Sequence, residues 1–262
     1  MARIGWETTG SKYFESGVDR GVLYVDALEG IPWVGLIGVD EAPGGAEARP
    51  YYIDGVKYLN LPTLDEFEAT IRAYTYPVEF GRCDGTARIR SGLFFGQQNR
   101  KSFGFSYRTM VGNDVEGVTH GYKIHLVYDA LATPSSRNAA TASNQVEAME
   151  LSWSITTKPR AVDGAAPTAH VVIDSRFTHP VTMGAIEDIL YGSESTVARL
   201  PTPQELVAIF DVPVAWDVFD NEDGTYTVSG PDENVYDIGS GMVMIDHPSV
   251  SIVDEDSFTI AY

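Results

Sequence analysis

PYYIDGVKYLNLPTLDEFEATIRAYTYPVEF, residues 50–80, opens the stretch that decides the fold. It continues through GQQNRKSFGFSYRTMVGNDVEG (96–117) and THGYKIHLVYDA (119–130). Successive side chains of a strand point to opposite faces, so alternation places Phe103, Phe105 and Tyr107 on one face. Residues 122–128 repeat the pattern, with Tyr or an aliphatic residue at every second position. The stretch therefore predicts neighbouring antiparallel strands, each with one face that needs a core.

The sequence before this stretch extends the β-rich prediction. Residues 1–20 carry three glycines among polar residues and are predicted to form an extended arm. Residues 22–28 and 31–39 are predicted to form a strand pair. Proline and glycine then break the pattern between Asp40 and Pro50, which predicts an irregular loop there.

Residues 63–76 fit two patterns. Thr63 and Glu66 fit a helix capping box, and several apolar residues fall at helical spacing. From Phe67 onward, however, apolar and polar residues also alternate, and the segment ends in Tyr-Thr-Tyr-Pro, which favours a strand. We predict a strand from about Phe67, and a further strand with one buried face over 149–156.

The period changes from two to helical spacing in the last third of the chain. Thr182 is a candidate N-cap of a short helix, and Gly192 is well placed to end it. A second helix is predicted to begin with Thr202 as its N-cap, Pro203 at the first helical position and Glu205 completing a capping box. Both helices are expected to cover the outside of the sheet.

Charge is the most informative bulk property. The chain has 37 Asp and Glu against 18 Lys and Arg, a formal net charge of −19. Residues 211–262 contain 12 of the acidic residues and no Lys or Arg. Affinity for DNA phosphates comes from cationic side chains that displace counterions, so this chain is predicted to be a poor DNA binder. An acidic surface would repel the DNA backbone. The alternative is that it only keeps the protein soluble.

Composition also bounds the compartment. The single cysteine, Cys83, cannot form an internal disulfide, which is compatible with synthesis in a reducing compartment such as the cytoplasm. We find no signal-peptide pattern and no apolar run of about 18 residues, so neither export by a standard route nor membrane insertion is expected.

The predicted fold class is thus mainly β: an antiparallel β-sandwich or barrel flanked by one or two short helices. Residues 1–210 are predicted to form this main β domain. Residues 211–262 carry short alternating runs and an Asp223-Gly224 turn signal, which predict a small acidic C-terminal β module.

Long segments of the chain resemble one protein family. They are Gly5-Trp6-Glu7, Val22-Leu23-Tyr24, the two long blocks within 50–130, and AIEDILYGSESTVARLPTPQELVAIF (185–210), and they span roughly four fifths of the chain. In their order and spacing they resemble the major tail tube proteins of long flexible-tailed, siphovirus-type bacteriophages, particularly those that infect actinobacteria. The resemblance implies a structural virion protein of the tail, assembled in the host cytoplasm, whose hexameric rings stack into the tube that conducts the genome during ejection. Tape measure, tail terminator and distal tail proteins are the further partners that it implies, with double-stranded DNA in transit and no membrane.

The resemblance also points to three groups of assembly residues. The loop over 40–50 is expected to reach the adjacent ring, with an ordinary flexible surface loop as the alternative. In an assembly the N-terminal arm would lie across a neighbouring subunit, whereas in an isolated monomer it would be loose. Polar faces of the predicted strands are candidates for the lumen, with external solvent as the alternative. The ring-stacking candidates are Asp40, Glu41, Pro43, Gly44, Gly45, Glu47 and Arg49; the arm candidates are Trp6, Tyr13 and Phe14; the lumen candidates are Ser106, Arg108, Lys123, His125 and Asp129.

Searches for chemistry give no catalytic, cofactor-binding or metal-ligating set. His120 and His125 are five residues apart, which puts them on opposite faces of a strand and argues against a shared metal. His170 has no ligand-type residue near it in the sequence, and Cys83 has no activating partner there, so an inert thiol is expected. The protein is therefore predicted not to be an enzyme. The alternative function is a surface-adhesion or carbohydrate-binding β-sandwich, which would share the alternation and the aromatic residues but would not form tubes.

Overall fold

The computed structural model of the chain describes residues 9–26, 29–45, 48–62, 65–134, 137, 139, 141, 148–212 and six short strands beyond. The strands of the main body are β1 (Phe14–Tyr24), β2 (Ile31–Pro32), β3 (Leu36–Glu41), β4 (Gly44–Gly45), β5 (Ala48–Ile53), β6 (Val56–Pro62), β7 (Asp65–Glu66), β8 (Glu68–Ala73), β9 (Ala87–Arg90), β10 (Leu93–Phe95), β11 (Phe103–Asn113), β12 (Gly117–Ala132), β13 (Leu151–Thr156), β14 (Arg160–Val162), β15 (Ala165–Thr168) and β16 (His170–Asp174). The helices are a 3-10 turn (Val78–Arg82), α1 (Pro180–Tyr191) and α2 (Pro203–Phe210).

The long strand β12 joins two antiparallel sheets. In the first sheet the order is β2, β1, β11, β12 and β16. In the second, the end of β12 pairs with β13, which continues through β8 to β3. The prediction of a mainly antiparallel β fold with two short helices is confirmed, and the pairing among the described strands does not close into a barrel.

The core between the sheets is rich in aromatic rings. The Trp33 ring centroid lies 4.7 Å from that of Phe80, 5.4 Å from Phe105 and 5.9 Å from Trp153. The Trp33 indole N–H donates to the carbonyl of Thr75 at 3.0 Å, which satisfies its one polar atom. The face of β11 that carries Phe103, Phe105 and Tyr107 therefore buries in this core, as its alternation predicts.

The opposite face of the first sheet is also covered. Ile124, Leu126 and Tyr128 of β12 pack with Ile186 and Leu190 of α1 and with α2. Consequently the apolar rows of β11 and β12 lie on opposite faces of one sheet, one row facing the second sheet and the other the helices. Burial on both faces explains why the polar residues between those rows are largely enclosed.

The helix signals are confirmed with one correction. Thr202 accepts a hydrogen bond from the N–H of Glu205, whose side chain reaches back to complete the predicted capping box of α2. Gly192 ends α1 at φ 83°, a left-handed conformation that favours glycine. The predicted N-cap Thr182 is wrong: His179 caps α1, because Pro180 occupies the first helical position and Val181 donates its N–H to the His179 ring.

The segments predicted to form an extended arm and an irregular loop are instead partly in strands. Residues 14–20 belong to β1 and pair with β11, so they are part of the main sheet. Residues 40–50 include the end of β3, the two-residue β4 and the start of β5. Pro50 is tolerated because β5 lies in a two-stranded hairpin, where one side of each strand needs no partner. The predicted strand near Phe67 is confirmed as β8, whereas Thr63 lies outside the described residues.

The acidic C-terminal part contains six strands: β17 (Asp217–Asp220), β18 (Tyr226–Ser229), β19 (Val235–Gly239), β20 (Met242–Ile245), β21 (Val250–Asp254) and β22 (Ser257–Ile260). They pair in sequence as three antiparallel hairpins. Strands β17 and β18, on either side of the Asp223-Gly224 turn signal, pair with each other. Asp223 and Gly224 themselves lie outside the described residues. The separation into a main domain over 1–210 and a module over 211–262 remains a prediction.

Candidate assembly surfaces

Strands β5 and β6 form a hairpin that packs on little besides itself. Asp54 and Gly55 at its turn have φ of 51° and 77°, so both central residues are left-handed, as a type I′ turn requires. Register runs from Ile53 opposite Val56 down to Ala48 opposite Pro62. Neither strand makes extensive contact with any other strand or helix of the described chain.

The surface of this hairpin is strongly apolar. Every residue from 48 to 61 is exposed, with Tyr52 at 63% and Tyr58 at 68%. Monomeric soluble proteins rarely expose such contiguous apolar area, and where they do it commonly marks a site for a partner. The large apolar side chains involved are Tyr51, Tyr52, Ile53, Val56, Tyr58, Leu59 and Leu61.

A second hairpin, β9–β10, has the same character. Leu93, Phe94 and Phe95 are about half exposed. Arg88 and Arg90 lie on the paired strand and bond to Ser91 and to the Ile89 carbonyl, with no carboxylate partner among the described residues. This hairpin therefore combines exposed rings with exposed positive charge.

The outer edge of β16 is open for pairing. The Ser175 N–H donates to the Tyr122 carbonyl, and the Tyr128 N–H donates to the Ala169 carbonyl. These bonds show which residue pairs of β12 and β16 are hydrogen-bonded and which are not, because the two kinds alternate in an antiparallel pair. The N–H and C=O of Val172, which lies opposite His125 between the bonded pairs, consequently point away from β12. No described strand pairs with that side of β16, and Val172 is 45% exposed.

The outer edge of β1 is also free over most of its length. Strand β2 pairs only with Val22 and Leu23, so no described strand covers residues 14–20 on that side. Register irregularities at residues 16–18 and 19–22 bend this edge, a common way of limiting unwanted pairing.

The ring-stacking candidates lie at the root of the β5–β6 hairpin. Asp40 and Glu41 end β3, and Asp40 accepts a 2.7 Å bond from Arg72. Pro43 follows, Gly44 and Gly45 pair with β7, and Arg49 lies opposite Leu61 in β5. Glu47 is outside the described residues. The hairpin that these residues support extends well beyond them, and its Asp54-Gly55 turn was the sequence signal that could have identified it.

The described arm candidates rest on their own subunit. The Tyr13 ring stacks on His120 at 5.3 Å, and the Arg176 guanidinium lies 5.1 Å from it. Phe14 pairs with Gly112, where a Cβ atom would overlap the Phe14 ring. Trp6 is outside the described residues.

Two of the lumen candidates are enclosed. Ser106 is fully buried, with its hydroxyl 3.2 Å from that of Tyr24 beneath α1. His125 is 6% exposed and stacks on Tyr107 at 4.5 Å. The prediction that these two side chains face a channel is wrong for the subunit as folded, because the helices cover one face of the sheet and the second sheet covers the other.

The three charged lumen candidates are paired within the subunit. Arg108 donates two hydrogen bonds to Asp19, at 2.7 and 2.6 Å, and these bonds lower the pKa of that carboxyl. Lys123 pairs with Glu15. Because Arg108 lies opposite Ile124 and Lys123 lies opposite Thr109, the two cations project from opposite faces of the sheet.

Asp129 forms the third of these pairs. Arg160 donates to its two oxygens at 2.7 and 2.9 Å, and the hydrogen bonds lower the pKa of the carboxyl. Thus each charged candidate already has an opposite charge beside it.

The sheet pairing also brings together residues that the sequence keeps apart. Glu41 of β3, His125 of β12 and His170 of β16 each place a ligand atom within 4.8 Å of the other two. Spacing along the sequence could not predict this cluster, because His125 and His170 come close only through the pairing of β12 with β16.

The remaining reactive group is enclosed. Cys83 is fully buried, and burial raises the pKa of its thiol to about 12. The thiolate is therefore scarce at neutral pH, which agrees with an inert thiol. No helix in the described part of the chain has the length and apolar character needed to cross a bilayer.

The chain is similar to components of contractile injection systems. A chain of the sheath–tube complex of an extracellular contractile injection system (PVC), in its extended state, aligns over 59% of this protein and 88% of its own length, with 13% identity and a TM-score of 0.30. A chain of the sheath/tube terminator of such a system aligns over 65% and 99%, with 11% identity and a TM-score of 0.31. A chain of the six-fold symmetrised anti-feeding prophage baseplate aligns over 65% and 97%, with 10% identity and a TM-score of 0.33. No protein-family model and no curated protein matches the chain. Because these identities and TM-scores are low, the function proposed below rests on the chain's own strands and hairpins and on its sequence resemblance.

Proposed function

We propose that this protein is the structural subunit of a phage tail tube of the siphovirus type, which forms hexameric rings that stack into a conduit for the genome. The β5–β6 hairpin carries the proposal. It presents exposed Tyr, Ile, Val and Leu side chains on two strands that make no extensive contact with the rest of the described chain. A partner that covers this hairpin would remove a large apolar area from water, at about 25 cal/mol per Å².

Ring closure would use the free strand edges. The outer edges of β16 and β1 lie at opposite ends of the first sheet, each with unpaired backbone groups among the described residues. Head-to-tail pairing of such edges closes into a ring when a whole number of subunits completes one full turn. No strand edge is then left exposed. The hairpins would be the contacts between successive rings.

The charges suit passage of DNA without binding. Arg108, Lys123 and Asp129 are each neutralised within the subunit. Phosphate binding requires cations that are free to displace counterions, and the chain as a whole carries a net charge of −19. Double-stranded DNA would therefore be repelled or ignored in the bore, with Arg88 and Arg90 of the β9–β10 hairpin lying at the contacts between rings. No catalytic step is required of the protein.

The proposed location is the wall of the virion tail, after assembly in the host cytoplasm. Its partners there would be further copies of itself, with the tape measure protein, the tail terminator and the distal tail proteins. This assignment follows from the family resemblance, which names these components for tubes of this kind.

Negative-stain electron microscopy of the purified full chain at increasing concentration tests the proposal. Rings or hollow tubes are expected for the wild type and for Tyr74→Ser, which removes an exposed ring outside the hairpins. The double variant Tyr52→Ser/Tyr58→Ser is expected to form no tubes and at most single rings, with an unchanged unfolding midpoint. If a virion map placed the chain anywhere other than the tail shaft, the proposal would be wrong.

A carbohydrate-binding role is the second candidate, favoured by the exposed rings of Tyr51, Tyr52 and Tyr58. Sugar rings stack their C–H faces on such side chains. This alternative expects a monomer that binds glycans on an array and loses that binding in Tyr52→Ser/Tyr58→Ser. The tube proposal expects no glycan binding by either protein.

A further inference from the structure

We propose that Glu41, His125 and His170 form a binding site for a divalent transition metal ion of the zinc class, which would tie the two sheets together at the root of the β5–β6 hairpin. This site is separate from the assembly function and would bind metal in the free subunit.

The spacing of the ligand atoms fits one metal ion. His125 Nδ1 lies 3.2 Å from His170 Nε2 and 3.4 Å from Glu41 Oε1. Zinc binds imidazole nitrogen and carboxylate oxygen at about 2.0–2.2 Å in tetrahedral geometry, which places neighbouring ligand atoms about 3.3 Å apart. These two separations agree with this value, and all three ligand atoms lie within 4.8 Å of one another, so side-chain adjustment could bring them around one ion.

Neighbouring groups hold both rings in place. Thr109 Oγ1 lies 3.0 Å from His125 Nε2 and can accept a hydrogen bond from the Nε2–H tautomer, which leaves Nδ1 with a free lone pair for the metal. The His125 ring stacks on Tyr107, and the His170 ring stacks on Phe67 at 4.2 Å. The hydroxyl of Tyr107 donates to Glu41 Oε1 at 2.5 Å and orients the carboxylate. Hydrogen-bonded support of this kind is typical of metal ligands.

Access from solvent and the ligand types also suit an ion of this class. The Glu41 side chain is 38% exposed, which leaves an opening toward solvent. Two imidazoles and one carboxylate favour zinc over calcium or magnesium, which prefer all-oxygen sites. A water molecule would complete the fourth position.

The structural consequence follows from the elements that the ligands occupy. Glu41 ends β3 in the second sheet, three residues before Gly44 in β4 at the hairpin root, whereas His125 and His170 lie on β12 and β16 of the first sheet. One ion would therefore cross-link the sheets where no backbone pairing joins β3 to β12 or β16.

Titration of the EDTA-washed full-length protein with Co²⁺ tests the site, because a four-coordinate Co²⁺ ion has intense visible bands and a six-coordinate one does not. The wild type is expected to develop these bands at one equivalent, to lose them when Zn²⁺ is added, and to gain thermal stability with Zn²⁺. His170→Gln and Glu41→Gln are each expected to weaken binding at least tenfold. Tyr107→Phe keeps the ligands and the ring stack, and is expected to weaken it about tenfold.

His120→Gln is the matched control, since it removes a histidine outside the site and should leave the bands unchanged. Circular dichroism of each variant checks folding. Because His170 is partly exposed, its substitution should disturb the fold little, and a loss of binding in His170→Gln can then be attributed to the missing ligand. Pale, six-coordinate Co²⁺ binding that persists in His170→Gln would show that only scattered carboxylates bind the ion. That result, or the absence of Co²⁺ binding, would overturn the proposal.

Discussion

The hydroxyl of Tyr107 donates a 2.5 Å hydrogen bond to the carboxylate of Glu41, and this bond joins the middle of β11 in the first sheet to the end of β3 in the second. Tyr107 is almost completely buried, and burial together with the bond to Glu41 raises the pKa of its phenol far above the ordinary value. The phenol therefore keeps its proton, and can donate this bond, at neutral pH.

Tyr107→Phe removes this bond and keeps the ring. A hydrogen bond to a charged group contributes about 1.5–3 kcal/mol, and water can reach the partly exposed carboxylate in the variant. We expect the free energy of unfolding of the metal-free protein to fall by about 1–2 kcal/mol, measured by urea denaturation. Tyr51→Phe, on the exposed hairpin, should change it by less than about 0.5 kcal/mol. An equal effect of the two changes would argue against the inter-sheet bond.

The Asp129–Arg160 pair predicts part of the acid sensitivity. Hydrogen bonds from Arg160 lower the pKa of Asp129 in the folded state below the unfolded value of about 3.9. The pair therefore contributes stability above that value, and the contribution is lost as the pH falls through the folded pKa. Arg160→Gln should be less stable than the wild type at pH 6, and the difference should shrink between about pH 5 and pH 3.

Urea midpoints at several pH values measure this difference. Arg90→Gln serves as the control, because Arg90 has no carboxylate partner among the described residues. A gap between wild type and Arg160→Gln that stayed constant down to pH 3 would mean that packing of the guanidinium over the Tyr128 ring, 5.2 Å away, is what stabilises the fold.

The capping box of α2 gives a prediction that sequence and structure share. Thr202 accepts from the Glu205 N–H at 3.2 Å. Thr202→Ala should lower the free energy of unfolding by about 1 kcal/mol, because a backbone donor of the first turn loses its partner. Thr202→Ser keeps the oxygen and should be nearly neutral. If both variants lost stability equally, packing of the threonine methyl group would be responsible instead.

Local signals of this kind explain how much of the fold could be predicted. The Thr202–Glu205 box and the Gly192 terminus depend on neighbours within a few residues. The alternation at Phe103, Phe105 and Tyr107 likewise identifies the buried face of a single strand. The helix ends and this buried face depend only on residues close together in the sequence, so the sequence alone can predict them.

The errors arise where distant elements decide the environment. Alternation marks Ser106 and His125 as polar-face residues, but it does not show that helices and a second sheet cover the two faces. His125 and His170 meet only because β12 pairs with β16. No spacing rule along the chain predicts that contact, so the proposed metal site required the three-dimensional structure.

The open edge of β16 allows the ring proposal to be tested at a single backbone atom. The Val172 N–H points away from β12, so Val172→Pro removes a donor from the free edge without removing a bond within the subunit. The variant should fold, with a modest loss of stability from the restricted φ of proline, and should fail to form rings under conditions in which the wild type forms them. Val172→Thr keeps the N–H and should assemble normally. Size-exclusion chromatography with negative-stain microscopy compares the three proteins, and rings formed by a folded Val172→Pro protein would show that β16 is not the ring-closing edge.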